Sequence, residues 1–122
     1  MPALGAKAKA KAVELRNALA GAGVPSSLDP GAVNVPGAWV TVRTITPLTL
    51  SGAAQVRFDV YLIAPEGPAL EAWDHLAKLL NAALDVVDPD EPIDTASRVV
   101  LPHTPTQPLP AFRLVVDELI DP

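Results

Sequence analysis

The chain has 122 residues, of which 49% are hydrophobic, with 14 prolines, no cysteine and a formal net charge of −5. That is enough apolar sequence for one modest core, so residues 1–122 are expected to form a single domain. Disulfides, thiolate catalysis and cysteine zinc sites are excluded, and an acidic chain suits neither a phosphate-gripping surface nor an anionic membrane.

Residues 4–22 read as a helix. Ala8, Ala12, Leu15, Leu19 and Ala22 fall on one stripe at helical spacing, and Gly21 and Gly23 end it. Lys11 and Glu14 can pair three residues apart. Lys9 lies across the helix from Lys7 and Lys11, so "AKAKAK" is a solvated face rather than a basic patch. The lysines lead into no apolar run, so no secretory signal is expected. No segment reaches the roughly 18 uninterrupted apolar residues of a membrane span.

"PSSLDPG" is a turn-rich connector. "AVNVPGAWVTVRTI" follows as a strand broken or bulged at Pro36-Gly37, with Ala38, Val40 and Val42 on one face and Trp39, Thr41 and Arg43 on the other. Residues 54–63 alternate so cleanly that an antiparallel strand with one buried face is expected: Ala54, Val56, Phe58, Val60 and Leu62 inward. The two strands should make a hairpin with tip "TPLTLSG", and one register sets Arg43 opposite Asp59.

A second helix is expected over residues 68–87. Projected at about 100° per residue, its apolar positions cover roughly half the circumference, more than the ~100° that packing on one sheet requires. Another element or another subunit should cover the surplus. "DPDEPID" is then an acidic loop, "ASRVVL" a short strand, "PHTPTQPLP" a stiff crossover and "AFRLVVDEL" a last strand. The expected fold class is α+β: a mainly antiparallel sheet with two helices on one face, in the order α-β-β-β-α-β-β if the bulged strand counts twice.

Chemical motifs are sparse. "APEGPAL" joins strand to helix as a phosphate loop would, but has one glycine, two prolines that donate no N–H, and a repelling Glu66. His75 follows Asp74 in sequence, yet adjacent helical residues point about 100° apart and form no dyad. His103 sits in the proline-rich crossover, and no serine has the G-x-S-x-G context of a nucleophile elbow. Asp88, Asp90, Glu91 and Asp94 lack the central glycine and closing glutamate of a calcium loop. The P-x-x-P spacings at Pro102, Pro105 and Pro108 could dock in an aromatic groove. No catalytic, cofactor or metal site is therefore expected, and the chain reads as a non-enzyme. Three surfaces remain: the overwide helix with Leu76 and Leu79, the hairpin tip with Pro47, Leu48 and Leu50, and the polar sheet face with Trp39 and Tyr61.

The helix, the hairpin, the strand ending "VYLIAP", the helix "ALEAWDHLAKLLNAAL" and the closing "LPAFRLVVDE" together resemble the tail-terminator (tail-completion) proteins of long-tailed bacteriophages, in particular those of actinobacterial phages. The resemblance spans residues 4–119 and lies in element order and apolar spacing. It implies a structural virion protein with no enzymatic step, assembled in the host cytoplasm into a hexameric ring. The ring would cap the head-proximal end of the tail tube, stop addition of the major tail tube protein and meet the head-completion or connector proteins. DNA would pass through its lumen without specific binding, and no membrane or cofactor is implied. Other readings are another neck or minor tail protein, a small-ligand or protein-binding module, and an enzyme using His75 or His103.

Overall fold

The computed structural model describes residues 4–48 and 53–121. Helix α1 (Leu4–Gly21) is followed by a two-residue strand β1 (Ser26–Ser27), a 3-10 turn (Pro30–Ala32), and strands β2 (Gly37–Pro47) and β3 (Ala54–Ile63). Helix α2 (Ala69–Leu84) and strands β4 (Asp94–Val99) and β5 (Leu109–Ile120) complete the chain. The order is α-β-β-β-α-β-β, as expected, with one difference. The extra strand is Ser26–Ser27 in the turn-rich connector, not the first half of a broken β2. Residues 33–35 form no strand; after the cis Val35–Pro36 peptide, β2 begins at Gly37. A Cβ at Gly37 would run into the carbonyl oxygens of Asn34 and Pro25, so only glycine fits where these segments cross.

The α1 terminus shows how local sequence sets a boundary. Gly23 takes φ +94. The Val24 N–H donates to Leu19 O at 2.9 Å and the Gly23 N–H to Ala20 O at 3.1 Å. These are the two hydrogen bonds of a Schellman cap, and the Leu19 and Val24 side chains it brings together are both fully buried.

The sheet runs β1-β2-β3-β5-β4, with β1 parallel to β2 and every other pair antiparallel. Pairing of β2 with β3 and of β3 with β5 aligns Val40, Val60 and Leu114 across one face, with Ala38, Leu62 and Phe112 beside them. Both helices pack on this face. Ala8, Ala12, Leu15 and Leu19 of α1 and Ala72, Leu76, Leu79 and Ala83 of α2 join Val56, Phe58, Val60 and Leu114 in one core.

The second face is less open than strand alternation implies. Ile63, Val99, Leu101, Leu109 and Ala111 form a smaller cluster with Val33, and Val35, Trp39 and Tyr61 pack against it. The segments before β2 and after β4 fold over that end of the sheet. Alternation identifies which residues share a face; it carries no information about loops that cover the face afterwards.

Candidate interaction surfaces

Helix α2 divides its apolar arc between two tasks. Ala72, Leu76, Leu79 and Ala83 point into the core. Leu70, Trp73 and Leu84 form another line, roughly a third of a turn round the helix at 100° per residue. Leu70 is 81% exposed and Trp73 53%, and Leu84 is exposed as well. Trp73 rests edge-on against Phe112, with ring centroids 5.1 Å apart and planes at 73°. Leu76 and Leu79 are only 3% and 7% exposed. As candidate contacts to other chains they are corrected: both already pack within the subunit, and the surplus of the arc is Leu70, Trp73 and Leu84. Projection of the sequence shows the arc's width but not which third of it meets the sheet.

Trp39 and Tyr61 are cross-strand partners, stacked at 5.4 Å and 21°. The Trp39 Nε1–H donates to Leu28 O at 3.3 Å. Both are half-buried, and they pin the segment before β2 to the sheet, so they offer only their outer edges as contact surface. Pro47 and Leu48 are exposed at the end of β2, where the Leu48 N–H donates to Ala53 O at 2.9 Å. Leu50 lies outside the described residues.

A charge network escapes sequence reading. Arg57 and Asp117 face each other across β3 and β5. Arg57 Nε donates to Asp117 Oδ1 at 2.8 Å and Nη2 to Oδ2 at 3.0 Å, a two-pronged pair, while Nη1 reaches Glu91 Oε2 at 2.6 Å. The Asp90 N–H donates to Val115 O at 2.8 Å, and Asp90 Oδ2 accepts from the Asp117 N–H at 2.7 Å. The acidic loop thus binds the edge of β5 beyond the end of β4. That accounts for carboxylates placed just after a helix C-terminus, where the helix dipole alone disfavours them. The clue was an arginine and an aspartate on long strands, but only the register makes them partners.

Asp59 is 6% exposed, and its Oδ1 lies 3.7 Å from an Arg43 nitrogen. The register sets Thr41, not Arg43, opposite Asp59, and Arg43 falls in the shift between Val42 and Thr44 without a cross-strand partner of its own. The two charges meet, but through a bulge rather than as direct cross-strand partners.

Asp117 is held below the ordinary carboxylate value of 3.8, chiefly by its hydrogen bonds from Arg57. Asp94 is held below it by the Ala96 N–H and by Ser97. Both favour the ionised form in the folded chain. Their contribution to stability is therefore complete above about pH 4 and is lost as pH falls through their lowered folded values. Arg57→Ala should lower stability at neutral pH and also flatten the acid loss, because the main cause of the Asp117 shift is gone. Urea midpoints from neutral pH to about pH 2 test this; equal acid slopes in both proteins would contradict it.

The residues considered for chemistry are dispersed in roles of their own. Glu66 and Gly67 lie in the turn before α2, and Pro68 caps the helix with extended backbone. His75 is half-buried on α2, and His103 is exposed in the segment between β4 and β5, which makes hydrogen-bonded turns between antiparallel neighbours rather than the expected stiff crossover. Ser26 Oγ donates to Val24 O at 2.8 Å. Among the described residues, no group of three or more His, Asp or Glu is placed to hold a metal ion, and no helix is long and apolar enough to cross a membrane. No protein-family model, curated protein or solved structure matches this chain.

Proposed function

We propose that this chain is a tail terminator: a structural subunit that forms a ring on the head-proximal end of a long-tailed phage tail, ends tube polymerisation and joins the tail to head-completion proteins. The observation that carries the reading is the exposed apolar line Leu70, Trp73 and Leu84 on α2. A small domain whose core is already filled keeps such a line out of water most readily by contact with other chains. The element order behind the resemblance supports it, as does the exposed Leu48 beside the hairpin tip. The net charge of −5 suits a lumen that DNA passes without sticking. Subunits would meet through different patches on each side, as a closed ring requires.

Tail length is the direct test. In a phage that carries this chain, its deletion should give tails of uncontrolled length by electron microscopy, and supplying it in trans should restore one length. Changing Leu48 and Leu50 together to Asp should leave the subunit folded but keep it out of tails. Tails of normal length without the chain would overturn the reading.

A further inference from the structure

The sheet ends in two unlike edges. On one side β1 covers only Ala38 and Trp39 of β2. From Val40 to Pro47, β2 is hydrogen-bonded to β3 alone among the described residues, and Val42 and Ile45 are exposed along that run. Beside it a groove of about 370 Å³ opens between β2 and α1, with the small residues Gly5, Ala8 and Ala12 and the side chains of Leu28 and Lys9 in its walls. An unpaired strand edge next to an apolar groove is a template for an incoming strand: the backbone pairs, and alternate side chains enter the groove. The bulge at Arg43 and Pro47, which has no N–H, limit that pairing to a short strand.

At the far side, β4 pairs only with β5 among the described residues; it is six residues long, with a register shift between Asp94 and Ser97. The charges differ in sign. Lys9 and Arg43 stand along the β2 edge, Arg43 also near Asp59, whereas β4 opens with Asp94, follows the acidic residues Asp88, Asp90 and Glu91, and carries its one cation, Arg98, near its far end. Two β2 edges brought together would place two copies of Lys9 and Arg43 on one seam, and like charges facing each other across strands are unfavourable. Pairing β2 with the Asp94 end of β4 sets cations beside carboxylates.

We propose that the free edge of β2 pairs with the β4 edge of a second copy of this chain. The contact joins two different surfaces, so each added subunit leaves one β2 edge and one β4 edge for the next, and assembly proceeds to a ring or a filament. Only closure into a ring rests on the tail-terminator reading; the pairing of edges stands on the sheet itself.

The test is the native mass of the full chain, by sedimentation across a concentration series. The wild type should form multimers, and Ile45→Lys and Asp94→Lys should each abolish them, because a lysine blunts one edge. An equimolar mixture of the two variants should give a species of two chains and nothing larger, since each brings one sound edge. Should either variant unfold, Thr44→Lys and Thr95→Lys, both at exposed positions, replace them. A wild type that stays monomeric up to its solubility limit overturns the proposal. So does an Asp94→Lys protein that self-associates like wild type, or a mixture that forms nothing. Tail length separates this from the functional reading: multimers built by these edges in a chain that leaves tail length unchanged would sink the terminator and keep the edge pairing, and a monomer that still ends tails would do the reverse.

Discussion

Phe58→Ala lowers the unfolding free energy by about 3–5 kcal/mol, the range found when a buried phenylalanine is truncated and its cavity only partly collapses. Phe58 is fully buried at the centre of the sheet, between β2 and β5, on the face that carries both helices. Its ring has no polar atom and no route to water, so nothing offsets the lost packing. Stabilities of such domains are about 5–15 kcal/mol, so the variant should be close to unfolding at moderate temperature. Urea unfolding followed by the fluorescence of Trp39 and Trp73 measures it. The midpoint should fall with the slope unchanged. A loss under about 1 kcal/mol would mean that the core rearranges around the gap far more freely than close packing allows.

The second large effect is a contrast within α2. Leu76→Ala should cost about 2–5 kcal/mol, because that side chain lies between helix and sheet. Leu70→Asp combined with Trp73→Asp should cost much less, chiefly the ring contact of Trp73 with Phe112. That contact is worth about 0.5–1.5 kcal/mol beyond the area it buries. On the proposed tail-terminator function, the double variant should nevertheless be lost from assembled tails while remaining folded. Denaturation and tail incorporation, measured on the same two proteins, should therefore rank them in opposite orders. If Leu70→Asp/Trp73→Asp entered tails as well as wild type, the exposed line on α2 would have no part in assembly.

The sequence alone determined the elements whose causes are local. The apolar stripe of α1 and the Gly23 turn fix that helix and its end, since a left-handed residue is cheap only for glycine. The alternation of Ala54, Val56, Phe58, Val60 and Leu62 fixes β3 and its inner face, because side chains on a strand point to opposite sides in turn. Tertiary structure decided everything that depends on residues distant in the chain. Ser26–Ser27 becomes a strand only because β2 lies beside it, with no signal of its own in "PSSLDPG". The prolines at residues 102–110 read as a stiff extended crossover, but the segment makes hydrogen-bonded turns between the antiparallel neighbours β4 and β5 and leads into a second small core around Leu101 and Leu109. Arg57 finds Asp117 60 residues away through strand register, and the acidic loop gains its purpose from the same pair. Leu76 and Leu79 turn inward while Leu70 and Trp73 stay outside, because the angle at which α2 lies on the sheet selects one third of a wide apolar arc. Helical periodicity is a property of the chain; which part of that period meets the sheet is a property of the packing.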